Sequence, residues 1–239
     1  MKISIIVPVL NERVFIEGTL THLQKTLSIL KGNAIGNWEV VVSDAGSTDG
    51  TLEAINKFIE RNDSWIAITD PILKPSVGKT VRRGILKATG EVLLILPADT
   101  QLGSDGLKEL WHVLQTGVEC GGFLKQYSPS NSILRLYQSA QNLVRLKCFK
   151  HLVWTNGIFF KKALIESLDF PTIGFLEDVI LSDFLRKVPT WRVLSTSITV
   201  SSRRYYPNRI LKRILINLFI MFCYRTGIAS PEQLKAIYS

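Results

Sequence analysis

Trp38-Glu39-Val40-Val41-Val42-Ser43-Asp44-Ala45-Gly46-Ser47-Thr48-Asp49-Gly50-Thr51 passes from an apolar run into small and polar residues that open a helix. Residues 38–42 read as a strand, and the helix is expected over 50–61 with Asp49 as its N-cap. Gly46 permits a tight turn, while Ser47, Thr48 and Asp49 offer caps at a helix start. The surrounding chain repeats this alternation. Residues 3–9 form an apolar strand ended by Pro8 and by Asn11-Glu12. Val14, Leu20, Leu23, Leu27 and Leu30 then recur near the helical period over 14–30. Residues 65–68 are a third strand, 76–87 a helix stopped at Gly90, and 91–96 a fourth strand. This order, with nearly continuous apolar strands, predicts an α/β fold whose mainly parallel central sheet is flanked by helices.

The second half is less regular. Helices are expected at 104–116, 132–148, 177–187, 208–226 and 231–238, and strands near 118–126, 153–160 and 191–200. No repeat, low-complexity tract or linker divides the chain, so one domain over 1–239 is expected.

Composition excludes several classes. At 239 residues, 46% apolar and 21% charged, the chain is too apolar for disorder and long enough for one sizeable core. Its longest apolar runs fall short of the roughly 18–20 residues of a membrane span. Cys120, Cys148 and Cys223 are too few and too far apart for a disulfide framework or a four-cysteine zinc site. They read as core residues. The opening residues run straight into a strand and are too short for a signal peptide, which makes a cytoplasmic location the expectation.

The net charge of +9 is uneven: residues 1–70 carry 6 basic and 9 acidic groups, whereas 201–239 carry 7 and 1. Such a field suits an anionic small molecule, an acidic membrane surface or nucleic acid, and does not choose among them.

In an open parallel sheet, ligands bind outside the carboxyl ends of the strands. Asn11 and Glu12 follow strand one there, Asp44 follows strand two and Asp99 follows strand four. Polar loops are common at strand ends, so each residue alone is about evenly balanced between a loop and a site. Three converging carboxylates repel unless a cation or a hydrogen-bonding ligand sits among them, and together they favour a site.

The run 44–51 resembles the nucleotide-binding loop of family 2 glycosyltransferases, which have the GT-A fold. Val7-Pro8-Val9-Leu10-Asn11-Glu12 resembles the first-strand motif of that family, and Leu96-Pro97-Ala98-Asp99 lies where it carries Asp-x-Asp. Phe175-Leu176-Glu177-Asp178 resembles its later Glu-Asp motif. Ser202-Arg203-Arg204 and Gly227-x-x-Ser230-Pro231-x-x-Leu234 extend the likeness to a compact bacterial branch with uncharacterised acceptors.

That resemblance implies a single GT-A-type, Rossmann-like domain, with 1–100 as its nucleotide-binding half, 101–200 as its acceptor half and 201–239 as C-terminal helices. It implies sugar transfer from a UDP- or GDP-sugar to a hydroxyl acceptor, inverting and assisted by Mg²⁺ or Mn²⁺, with no nucleic acid involved. Pro8, Val9, Asn11, Glu12, Asp44, Ser47 and Lys79 would bind the nucleotide. Asp99 would hold the cation against the diphosphate. Asp178 would be the general base, with Glu177 the next candidate. Pro97 replaces the first Asp of Asp-x-Asp, so metal binding rests on Asp99. Ala45 replaces a frequent second acid, and Asn156-Gly157 stands where an acid often precedes the Phe159-Phe160 strand.

Two decoys drop out. Ser76-Val77-Gly78-Lys79-Thr80 looks like a P-loop end, but Leu73 occupies the required glycine position and Pro71 and Pro75 bend the approach. No Gly-x-Gly-x-x-Gly follows strand one, which argues against a dinucleotide cofactor. His22, His112 and His151 lack metal spacing and read as surface or partly buried histidines. The alternatives are a sugar-phosphate nucleotidyltransferase and a non-catalytic nucleotide-sugar-binding protein. The first needs a glycine-rich basic loop after strand one, where Leu10-Asn11-Glu12-Arg13 stands.

Arg203, Arg204, Arg209, Lys212 and Arg213 precede the apolar stretch 214–224. Apolar residues at all azimuths there favour a buried helix packed on the sheet, with Arg203 and Arg204 facing the donor. The alternative is a basic amphipathic helix that brings residues 203–224 into peripheral contact with the inner face of a membrane.

Overall fold

The computed structural model describes residues 1–32, 35–61, 65–69, 76–166, 175–205 and 210–238; Pro71, Leu73, Pro75 and Arg209 lie outside them. Strands β1 (Lys2–Val9), β2 (Asn37–Asp44), β3 (Trp65–Ile68) and β4 (Val92–Ile95) alternate with helices α1 (Arg13–Gly32), α2 (Thr51–Ile59) and α3 (Val77–Lys87). After them come β5 (Thr100–Gln101), α4 (Ser104–Gln115), β6 (Cys120–Ser128), α5 (Ser132–Ala140) and β7 (Ile158–Lys161). The chain closes with α6 (Glu177–Leu185), β8 (Trp191–Ser201), α7 (Ile210–Thr226) and α8 (Pro231–Tyr238).

The eight strands form one sheet in the order β3-β2-β1-β4-β7-β6-β8-β5. The first four are mutually parallel, β7 is antiparallel to β4 and β6, and β6 and β8 are again parallel. The sheet is therefore mixed but mainly parallel. Alternate side chains serve its two faces. Ile3, Ile5, Val7 and Val9 pack with Ile16 and Leu20 of α1, Ile55 of α2 and Leu107 and Leu110 of α4. Ile6, Val41, Leu93 and Ile95 pack with Val81 and Ile85 of α3 and Leu181 and Leu185 of α6. Helices on both faces explain the unbroken apolar strands. Gly84 lets α3 sit close on the sheet, because a Cβ there would lie 2.5 Å from Ile6 Cγ2.

At the amino end of the sheet, Glu39 is buried and fully engaged. Its carboxylate pairs with Lys2 Nζ at 2.5 Å and accepts from Ser4 Oγ, from Thr89 N at 2.6 Å and from Thr89 Oγ1 at 2.7 Å. Burial pushes its pKa up, but these bonds outweigh it and hold the group down at about 2.

Several expectations are corrected. The N-cap of α2 is Gly50 at φ 88°, not Asp49, which sits one residue earlier and accepts from Thr51 N at 3.1 Å. The helix expected over 132–148 is α5 followed by a π-helical stretch, Gln141–Cys148. The strand near 153–160 starts only at Ile158, after a 3-10 turn at Trp154–Asn156. Cys148 is exposed rather than in the core. Most importantly, α7 is not a buried helix. It packs against α5, α8 and the turn Arg203–Tyr205, and of its 17 residues Ile220 and Cys223 are buried. Leu211, Leu215, Leu218, Phe219 and Phe222 form an outward stripe, each more than half exposed. No described helix is long and apolar enough to cross a membrane.

Candidate active site

The β1–β4 ladder ends at Ile6↔Ile95, so past β4 the strand β1 stays paired with β2 alone, through Val9↔Asp44, and delivers Pro8 and Val9 to a cleft at the carboxyl edge. The next turn is set by Asn11, whose φ of 53° lies in the left-handed region that Asn tolerates better than most residues. It is fastened to the loop after β2. Asn11 N donates to Ser47 Oγ at 2.8 Å, Thr48 N to Asn11 Oδ1 at 2.9 Å and Glu12 N to Thr51 Oγ1 at 2.9 Å. Arg13 N donates to Asp49 Oδ2 at 3.1 Å. Thr51 and its neighbours, by hydrogen-bonding to Asp49, hold that carboxyl below its ordinary pKa.

Asp44 is fully buried and folds back on its own loop. Its Oδ2 accepts from Gly46 N at 2.8 Å and Ser47 N at 2.9 Å, and its Oδ1 from Ser47 Oγ. Arg83 Nη2 donates to the Asp44 carbonyl. Asn11, Asp44 and Ser47 thus tie together the loops after β1 and β2, and neither they nor Lys79 line that cleft. Lys79 lies in the first turn of α3, where its N–H caps onto Ser76 Oγ at 3.2 Å.

Pro8, Val9, Glu12, Asp99, Glu177 and Asp178 line one cleft of about 1200 Å³. Arg203 joins two of them: its Nη2 pairs with Glu12 Oε1 and lies 3.4 Å from Asp99 Oδ2. Its guanidinium also sits 4.5 Å from the Phe15 ring centroid. A guanidinium between two carboxylates relieves their repulsion. From the sequence Arg203 is expected to face the donor, but its pairing with Glu12, a contact that spans 191 positions, is not.

In the same cleft, Leu176 at φ 61° turns the chain into α6 and places two carboxyls at its start. Glu177 is buried, and its Oε1 accepts from Gly78 N at 3.1 Å. Asp178 Oδ2 accepts from Trp154 N at 3.1 Å and its Oδ1 from Val179 N at 2.9 Å. Burial raises both pKa values, against the pull of those amides and, for Asp178, of Arg145. A raised carboxyl is a better proton acceptor.

Among the described residues, no group of three His, Cys, Asp or Glu side chains comes together around a metal position. Asp99 fits a different arrangement. Its oxygens are held loosely, by Arg203 at 3.4 Å and Thr100 Oγ1 at 3.5 Å, and its side chain opens on the cleft. A hard cation needs only one or two protein carboxylates when a diphosphate and water complete its shell.

Residues 4–172 match the family model described as Glycosyl transferase family 2, and the chain belongs to that family. It is 26% identical over 213 residues to the dolichol-phosphate mannosyltransferase of Pyrococcus furiosus, which covers 85% of this chain and 57% of that protein. The chain thus spans a little over half that relative's length. The fold is shared with S. aureus TarS 1–349 in complex with UDP, at TM-score 0.65 and 18% identity over 92% of this chain and 65% of that one. It is also shared with the mannosyltransferase PcManGT of Pyrobaculum calidifontis in complex with GDP-Man and Mn²⁺, at TM-score 0.63 and 18% identity over 99% and 68%.

Proposed function

We propose that the chain works as one unit over residues 1–239 and moves a sugar from a UDP- or GDP-sugar to an acceptor hydroxyl, with inversion. The observation that carries this reading is that Asp178 lines the same cleft as Glu12, Asp99 and Arg203, with burial raising its pKa. Pro8, Val9 and the loop braced by Asn11, Asp44 and Ser47 hold the nucleoside. Asp99 would hold a Mg²⁺ or Mn²⁺ that accompanies the diphosphate, and such a cation would supply charge that stabilises the leaving group. The acceptor oxygen bonds to the anomeric carbon as that carbon's bond to the diphosphate oxygen breaks. The hydroxyl proton passes to Asp178, and the nucleoside diphosphate leaves with the bonding electron pair. A single displacement of this kind needs no covalent sugar adduct on the enzyme.

Incubation with UDP- and GDP-sugars plus Mn²⁺, following nucleotide release, separates an enzyme from a binding protein. Release from one donor class supports transfer. Tight binding without release from any donor supports the non-catalytic alternative.

The exposed stripe of α7 beside Lys212 and Arg213 also supports peripheral contact of residues 203–224 with an anionic membrane. Such contact would place the protein at the inner face of the membrane. Anionic vesicles should pellet the protein at low salt and less at moderate salt. Leu215→Ser with Phe219→Ser should abolish pelleting without unfolding the chain, and unchanged pelleting would refute the contact.

A further inference from the structure

Beyond Asp178, the cleft wall carries a chemistry that the donor site does not use. Lys125 on β6 is 1% exposed, and the hydrogen bond its ammonium makes is to Thr155 Oγ1 at 3.5 Å. Burial holds its pKa well below the ordinary lysine value; Arg145 adds to this and Asp178 opposes it. Arg145 Nη2 donates to Asn156 Oδ1 at 3.1 Å, while its buried Nε has no partner among the described residues. His151 is 3% exposed with Nε2 equally unpartnered. Burial, with Arg145 and Arg225 nearby, pushes its pKa down to about 3, so the ring is neutral. Among the described residues the buried Trp154 indole N–H has no acceptor either. All four side chains line the same cleft.

A buried donor left without an acceptor costs on the order of 1–3 kcal/mol, and native proteins keep few of them. Here three unpartnered nitrogens, Arg145 Nε, Trp154 Nε1 and His151 Nε2 (a donor in one of the two neutral tautomers), gather from the π-helical stretch Gln141–Cys148 and from residues 151–154, beside the weakly bonded Lys125 of β6. The β6–β8 pairing also shifts register beside Lys125, between Phe123 and Leu124. Bulges and π-helical turns occur often at functional sites. Asp178 is the carboxylate nearby, but its hydrogen bonds come from the Trp154 and Val179 amides, and among the described residues Arg145 Nε and Trp154 Nε1 have no acceptor. One oxyanion supplies several acceptor lone pairs at once and binds arginine and lysine strongly.

We infer that Lys125, Arg145, His151 and Trp154 form an anion subsite that holds a phosphate or carboxylate of the acceptor beside Asp178. This rests on the transfer reading above and names the acceptor's class. Anchoring the anionic group would orient a neighbouring hydroxyl toward the base. An acceptor lacking the group would leave the donors unpaired, which is how a polar site rejects the wrong substrate.

The test is calorimetric titration of inorganic phosphate into the full chain, with and without saturating UDP or GDP plus Mn²⁺. Saturable binding that persists with nucleotide bound is expected. Lys125→Met and Arg145→Gln should each weaken it by about tenfold or more, with UDP and GDP affinity unchanged. Lys125→Met removes a buried cation, so its unfolding midpoint should match or exceed that of the parent. That separates lost binding from lost folding. Malonate in place of phosphate ranks carboxylates against phosphates. Absence of saturable phosphate binding, its displacement by nucleotide, or unchanged affinity in both variants would overturn the subsite. Phosphate binding without any UDP or GDP binding would instead overturn the transfer reading and support the anion site.

Discussion

Glu39 and Lys125 are both buried ionisable side chains on strands of the same sheet, 3% and 1% exposed. Glu39, at the amino end, meets an ammonium, two hydroxyls and an amide within hydrogen-bond reach. Lys125, lining the cleft, makes one long bond among the described residues, to Thr155, lies 5.2 Å from the Tyr127 ring centroid, and feels Arg145 and Asp178 with opposite sign. A satisfied buried network holds strands in place, whereas an unsatisfied one is retained at a cost to folding. On the reading proposed above, the carboxyl end of the sheet would carry that cost so that its donors and acceptors meet ligands.

Substitutions can break this contrast. The largest effect is expected at Asp178. Asp178→Asn should lower turnover by about a thousandfold, within the usual range for a lost general base, while leaving UDP or GDP affinity unchanged. Near-normal turnover would move the base assignment to Glu177.

At the other end, Glu39→Gln should cost on the order of 2–3 kcal/mol of stability in denaturant unfolding and leave nucleotide affinity untouched. The pH dependence has a definite sign. Because folding lowers the Glu39 pKa from 4.5 to about 2, its contribution is present above pH 4.5 and is lost as pH falls toward 2. Acid titration of parent and Glu39→Gln should therefore converge at the low end. A variant equally stable at neutral pH would refute a stabilising role for the Glu39 network.

The smallest effect sharpens the cleft side. Arg203→Gln removes the cation between Glu12 and Asp99, so metal-free nucleotide affinity should fall about tenfold and Mn²⁺ should restore part of it. An unchanged metal-free affinity would make Arg203 merely a packing residue against Phe15.

How far the chain could be read depends on where its information lies. Strands β1 to β4 were legible because burial on both faces leaves continuous apolar runs between helices of clear period. The placement of β7 between β4 and β6 is long-range pairing that no local pattern encodes. Two-residue β5 carries too little sequence to register at all. Glu12, Asp99, Glu177 and Asp178 were visible because strand ends and a helix start mark them, together with the family likeness. Lys125, Arg145, His151 and Trp154 come from three segments and form no motif. His151 in particular reads as an ordinary histidine until its burial is known. The outward stripe of α7 was misread because its apolar residues surround the whole helix, and only packing decides which face is left open.

The central claim is that the carboxyl-edge cleft receives a nucleoside diphosphate with a cation held at Asp99. Calorimetry with UDP and GDP, each with and without Mn²⁺, on the parent chain and on Asp99→Ala tests it most directly. The expected result is saturable binding of at least one nucleotide, strengthened by Mn²⁺ in the parent and indifferent to Mn²⁺ in Asp99→Ala. Absence of binding by either nucleotide under every metal condition would contradict the account.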